Sequence, residues 1–382
     1  MMRIARWSWV FLLAMIIFGC VEPYDPPLDN EDINLLVVDG FLNVTDDSAT
    51  VSLSRTLPVK STDDLPRESG AQVWIENDEG AVFMLAELTP GVYQGYIPGA
   101  ETQAGYRVSI RTANNREYAS AFVSVIETPA IDSITYTATT DGLEIAVNTH
   151  DETNLSKNYR WTFEETYEYR AKFNSVWILD RNESRQRFSD ESIFTCWRTN
   201  SSTGIIVTSS KHLARSVVSK FPLTFIDKAS QKISITYSLL VRQQALTDEA
   251  YDYWMNLERT TENLGGLFDP LPSEVKGNVT SITDPAETVI GIFSAGTVQE
   301  KRIFIDRTDL PPGLNGFYRG DPGCELDSVY NDELDQIFQS SSVVIAPIYQ
   351  QGAGIIGYET TTRACGDCRA AGGTTVMPQF WE

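Results

Sequence analysis

The stretch YRWTFEETYEYR, residues 159–170, decides how this chain folds. Tyr159, Trp161, Phe163, Glu165, Tyr167 and Tyr169 recur on one side of a two-residue period. Arg160, Thr162, Glu164, Thr166, Glu168 and Arg170 recur on the other. Side chains alternate between faces only in an extended strand, whereas helical faces return every 3.6 residues. A long β-strand with one aromatic face is therefore expected. Glu165 is the one carboxylate on that face, and a carboxylate among aromatic rings can serve as a general acid or a ligand contact. The structural reading, favoured here, pairs it with a buried arginine or turns it outward at a bulge. No second carboxylate can be placed opposite it from spacing, so a glycosidase-type pair is not arguable. Trp161 and Tyr167, if open to solvent, would be stacking platforms for a glycan or peptide.

The same period runs through the chain ahead of this strand. LLVVDGFL (35–42), TVSLS (50–54), AQVWIEN (71–77), AVFMLAEL (81–88), VYQGYI (92–97), YRVSIRT (106–112) and EYASAFVSV (117–125) all fit the strand template. Asn77-Asp78-Glu79-Gly80 and Asn114-Asn115 supply hairpin turns. Seven strands at this spacing predict an immunoglobulin-like β-sandwich over 34–127, without the cysteine pair of antibody domains. Residues 128–382 read as a larger β-rich domain, opening with IDSITYTA and LEIAVNTH. It carries one convincing helix at about 247–264, where Thr247 caps, Asp248 and Glu249 fill the first turn, and Gly265-Gly266 ends it. Ala250, Tyr251, Trp254, Leu257 and Leu264 form its apolar stripe. A second, short helix is expected near 332–339. The fold class is thus mainly β, with one or two helices.

Residues 1–19 combine basic Arg3 and Arg6 with an apolar run from Trp7 to Phe18, the order of a secretory signal. Ile17-Phe18-Gly19-Cys20 resembles a bacterial lipobox, which makes Cys20 the expected lipidation site. Several acyl chains on one cysteine anchor stably. Residues 20–33 then form a Pro-rich tether. Val21 in place of an inner-membrane retention Asp favours the outer membrane, and Glu22 and Asp25 favour its cell-surface face over the periplasmic one.

Composition narrows the function classes. Hydrophobic residues at 42% allow a sizeable core. A formal net charge of -22, made -24 when the signal removes Arg3 and Arg6 (-22 - 2), disfavours nucleic-acid binding. The two histidines, His150 and His212, make a His-rich metal site improbable, and no metal or cofactor is expected. Turn chemistry explains His150-Asp151 better than catalysis. Phosphate-loop, EF-hand and G-x-S-x-G motifs are absent.

In an exported chain, Cys196, Cys324, Cys365 and Cys368 read as two disulfides in preference to a zinc site, a redox dithiol or free thiols. The arrangement expected ties Cys196 and Cys324 each to one of the C-terminal pair, stapling the tail to the body. Ser48, Ser133 and Ser328 each follow an Asp and precede an apolar residue, a pattern similar to Bacteroidetes O-glycosylation sites.

The lipobox followed by PYDPPL, then LLVVDGFLN, VSLSRT, YRWTFEETYEY, CW at 196–197, YSLLVRQQAL, AYDYWMNL, LGGLFDPLPSEVKGNV and CGDCRAAGGTTVMPQFW together resemble one lineage of Bacteroidetes lipoproteins, the domain of unknown function 4249 family. The resemblance implies an outer-membrane lipoprotein of β-rich build, often encoded beside TonB-dependent transporters, and transfers no catalytic residue. The expected function is that of a non-enzymatic accessory or substrate-capture partner of a TonB-dependent outer-membrane barrel. The alternatives are a glycan- or peptide-binding adhesin-like module and a hydrolase using Glu165.

Overall fold

The computed structural model of the chain describes residues 34–57, 65–181, 183–261, 275, 277–312, 314 and 323–381. The expected signal, Cys20 and the tether lie outside these residues. The fold is mainly β, as the alternation requires.

β1 (Leu36–Asn43), β2 (Ser48–Arg55), β3 (Gln72–Asn77), β4 (Val82–Thr89), β5 (Val92–Tyr96), β6 (Gly105–Arg111), β7 (Glu117–Ser120) and the short β8 (Val123–Ser124) fall on the alternating runs. They form one sheet that turns over at β4, which pairs with β3 on one side and β5 on the other. Inward residues of the two halves, such as Val73, Ile75, Val108 and Ile110 against Leu36, Val38, Val51 and Leu53, share one core. Burying each such side chain stabilises by roughly 1.5–3 kcal/mol. Gly80 permits the β3–β4 turn, because its φ of 91° is one that L side chains avoid.

The stretch 34–127 does not complete this sheet. Residues Val279–Ser281 add beside β7, and Ile290–Gly296 runs parallel to β1 in register from Val37↔Ile290 to Asn43↔Gly296. A parallel partner cannot come from a hairpin. No local signal in the first 127 residues announces it.

β9 (Ile131–Ala138), β10 (Gly142–Asp151), β11 (Asn158–Arg170), the β12 (Trp177–Leu179)–β13 (Ser184–Gln186) hairpin, β14 (Thr195–Ser201), β15 (Ile206–Ser209), β16 (Ser216–Asp227) and β17 (Thr236–Leu246) build the second half. Helix α1 (Asp248–Thr261) follows, then β18 (Val279–Ser281), β19 (Ile290–Gly296) and β20 (Val298–Asp306). A three-stranded sheet, β16-β10-β9, packs on a sheet ordered β14-β11-β17-β20, with β15 beside the start of β11. Leu143, Ile145 and Val147 meet Trp161, Tyr237 and Leu239 in its core. One segment therefore serves both sandwiches, β19 in the first and β20 in the second. The joint at Thr297 is held by Thr128, whose N–H and hydroxyl bond to Thr297 at 2.7 and 2.6 Å.

Helix α1 begins as expected, with Thr247 Oγ1 accepting from the Ala250 N–H at 3.0 Å. Its buried stripe is Ala250, Tyr253 and Trp254, set against Val207, Leu246 and Ile292. Tyr251 and Leu257 pack there only in part, and Leu264 lies outside the described residues.

β21 (Asp327–Tyr330), α2 (Asp335–Gln339), β22 (Ser342–Gln350), β23 (Gly354–Thr362) and α3 (Arg363–Gly366) close the chain around Ile337, Val344 and Tyr358. Disulfides join Cys196 to Cys368 and Cys324 to Cys365, with Cα separations of 5.7 and 5.6 Å. Thr374 then exchanges two backbone hydrogen bonds with Trp197. Gly373 makes this approach possible, since a Cβ there would meet the Tyr169 hydroxyl at 2.3 Å and the Trp197 carbonyl at 2.9 Å.

Candidate functional site

β11 carries the residues singled out by its alternation, and its aromatic face turns inward. Trp161 is 0% exposed and Tyr167 6% exposed, because the β16-β10-β9 sheet lies over them. The Trp161 ring stacks on Phe221 at 5.1 Å and its Nε1–H donates to Gln243 Oε1 at 2.9 Å. Neither is a stacking platform for a ligand. The apolar area that suggested binding is core area.

Glu165 shares that interior at 6% exposure. Lys232 Nζ lies 2.6 Å from its Oε1, and the Tyr237 hydroxyl donates to its Oε2 at 3.1 Å. Lys232 is delivered by the 3-10 turn Gln231–Ile233, where its own N–H donates to the Ser230 hydroxyl. Burial first, then the Glu165 charge, push the Tyr237 phenol far above its ordinary range, so it stays protonated and donates. Glu165 is thus the paired buried carboxylate of the structural reading, with a lysine where an arginine was expected. Both of its oxygens are engaged by protein groups.

The opposite face of β11 differs. Arg160 is half-buried, and its guanidinium lies over the Trp254 ring at 3.7 Å. Stacking on an indole face suits the planar, weakly hydrated guanidinium. No hydrogen-bond or ion-pair partner meets it among the described residues. Asp39 of β1 senses the same charge across the junction without closing a salt bridge. Asp39 is exposed by surface area, yet burial pushes its carboxyl above the usual range and Arg160 offsets this only in part. Both hold for a side chain that touches solvent while being surrounded by protein. Tyr253 stands on the same junction, its phenol pushed up chiefly by burial. Sequence reading missed this group. Arg160 looked like an ordinary polar-face residue, and its neighbours come from β1 and α1.

The remaining candidates are dispersed. Asp367, between Cys365 and Cys368 of CGDC, is buried, accepts from the Arg369 N–H at 3.0 Å and faces the Arg369 and Arg363 side chains. His150 Nδ1 lies 2.8 Å from Asp132, whose carboxylate raises its pKa. Asp151 accepts from the Thr153, Leu155 and Ser156 N–H groups, which is turn chemistry. Ser48 donates to Asp46 at 2.6 Å, Ser133 accepts from Asn148 at 3.1 Å, and exposed Ser328 lines a polar recess of about 350 Å³ with Asp327, Gln336 and Thr360. Among the described residues, no three His, Cys, Asp or Glu side chains are grouped to hold a metal ion.

Several large apolar side chains of β4 and β5 in the first sandwich are exposed. Met84 is 61% exposed, Leu88 63% and Tyr96 66%, with Val82 beside them. Leu88 and Tyr96 flank a recess of about 330 Å³ that includes Ser48, Thr50 and Gln94. Nearby, Glu76 is neutralised by Arg107 and accepts from Trp74 Nε1 at 2.6 Å.

No curated protein matches the chain. Among solved structures, the adhesin InvE of Yersinia pseudotuberculosis is similar at 13% identity and a TM-score of 0.17, the match covering 56% of this chain and 57% of that one. The match thus spans little more than half of the adhesin, and at that score it carries no inference. The model of a family described as a domain of unknown function (DUF4249) matches residues 21–302, a span that takes in both sandwiches. The chain belongs to the DUF4249 family.

Proposed function

We propose that the chain is a non-enzymatic accessory lipoprotein of the outer membrane, anchored through Cys20 and facing the cell surface. It docks through the outer face of its first sandwich on a TonB-dependent barrel and assists substrate capture. The observation that carries this reading is the exposure of Val82, Met84 and Leu88 along β4, with Tyr96 of β5 beside Leu88. Apolar patches of this kind mark interaction surfaces, and Met and Tyr are interface residues. Glu76 is paired with Arg107 beside Val82, while Asp47 accepts from the Tyr96 hydroxyl at 3.3 Å, so the apolar side chains carry a partly acidic rim. Affinity capture of the full chain from solubilised outer membranes should recover a transporter. Met84→Glu with Tyr96→Asp should lose it while keeping the wild-type circular dichroism. Repeated recovery of the chain alone sinks the proposal.

A second reading, a glycan- or peptide-binding module, draws on the recess between Leu88 and Tyr96. An aromatic ring beside a hydroxyl and an amide suits a neutral sugar. Glycan-array binding that survives Tyr96→Ala would remove it.

A further inference from the structure

We propose that the junction between the two sandwiches is a binding site for a small zwitterion, a free α-amino acid or short peptide, with Arg160 taking its carboxylate and Asp39 its ammonium group. The site stands apart from the docking face and does not depend on it.

The argument starts from Arg160. Several other arginines meet carboxylates, Arg107 with Glu76, Arg185 with Glu191 and Arg242 with Glu300, and Arg187 and Arg198 donate to carbonyl oxygens. Arg160 instead lies flat on Trp254, which orients the guanidinium fork and leaves its N–H donors unpartnered among the described residues. A half-buried cation without hydrogen bonds is costly, and a planar carboxylate fits its fork in a bidentate pair. Asp39 is the second pole. The parallel register sets it beside Ile292, which packs on Tyr253 and Trp254 of α1. The strand β1 thus presents a carboxylate on the side of the junction where β11 brings the Arg160 cation over Trp254. Asp39 and the Tyr253 hydroxyl are likewise without hydrogen-bond partners among the described residues, and Asp39 keeps contact with water.

The charge pattern selects the ligand class. A simple anion drawn to Arg160 would be opposed by Asp39, and a simple cation drawn to Asp39 would be opposed by Arg160. A molecule carrying both charges satisfies both poles. The Trp254 and Tyr253 rings are themselves buried, so they orient Arg160 and the contacts with the ligand are left to the two charges.

The test is isothermal titration of the full chain in detergent with glycine, glycylglycine and triglycine, against acetate and methylammonium. The expected result is saturable binding of at least one zwitterion, with its length reporting the gap between the poles, and weaker binding of both single-charge probes. Arg160→Met and Asp39→Asn should each weaken binding roughly tenfold or more, the effect of losing one charge-assisted contact. Binding unaffected by either substitution overturns the proposal, as does binding of no zwitterion. Should Arg160→Met fail to fold, the wild-type titration decides, because acetate bound as tightly as every zwitterion also overturns it.

Discussion

Arg160 and Glu165 stand on one strand, on opposite faces, and meet opposite fates. Glu165 points into the second sandwich, where Lys232 and Tyr237 saturate it. Arg160 points at the first sandwich and finds an indole face and a distant carboxylate. Both are charges removed from bulk water, but only one is compensated inside its own sheet. Burying a charge is tolerable when partners are supplied at once. A charge left short of partners within a stable fold is a candidate for function. Local connectivity explains the difference: Lys232 and Tyr237 lie in and just after the turn before β17, which pairs with β11, whereas Asp39 and Trp254 arrive from distant parts of the chain.

The largest expected effect concerns the clamp at the Glu165 end of β11. Cys196 pairs opposite Tyr169 and closes a sequence separation of 172 residues to Cys368, against 41 for Cys324–Cys365. Cys196→Ser with Cys368→Ser should lower the unfolding free energy by roughly 3–5 kcal/mol, and more than the Cys324/Cys365 double substitution, because the longer loop regains more entropy. Urea denaturation measures both. The reverse order would mean that the tail, rather than β11, depends on the covalent ties.

The next effect tests the contrast itself. Lys232→Met leaves Glu165 buried and unpaired, which costs about 3 kcal/mol for a fully buried pair and nearer about 2 here, where Lys232 remains partly solvated. Adding Glu165→Leu should recover most of the loss. Arg160→Met should change stability by less than about 1 kcal/mol, since no ion pair is broken. Equal losses for Lys232→Met and Arg160→Met would erase the distinction between the two faces.

The smallest effect is in pH dependence, where Asp39 and Asp367 should have opposite signs. Burial alone would raise Asp367, but hydrogen bonds from the Arg369 side chain and backbone hold its folded pKa below the usual range. Its contribution is present above the unfolded pKa of about 4 and is lost as pH falls through the folded value. Asp39 is raised by burial, with Arg160 opposing, so its ionisation costs stability as pH rises from about 4 through its folded pKa. Asp367→Asn should therefore destabilise at neutral pH and matter less in acid. Asp39→Asn should raise the melting temperature at neutral pH and leave it unchanged in acid. Matching signs would place Asp39 in an ordinary ion pair.

Much of this architecture was legible because strand periodicity is a local property. The seven N-terminal runs, the Asn77–Gly80 turn and the start of α1 all follow from residues adjacent in sequence. The alternation of β11 said that its two faces differ. It could not say that the aromatic face is interior, since Trp161 and Tyr167 would alternate identically on a binding surface. The parallel β1–β19 pairing was hidden for the reason that separates local from global order: its strands lie some 250 residues apart (290 - 37 = 253) and no turn chemistry links them.

By itself, the sequence determined that the chain is built of strands and hairpins, that one helix follows Thr247, and that the C-terminal cysteines would seek Cys196 and Cys324. Each rests on side-chain period, capping chemistry or cysteine usage, which are properties of residue type and spacing. Only tertiary structure decided that Cys196 takes Cys368, that Glu165 is matched by Lys232, and that Arg160 is laid on the Trp254 ring. Those outcomes depend on which surfaces are brought within a few ångströms by long-range pairing, because ion pairs, disulfides and ring stacking act only at contact distance.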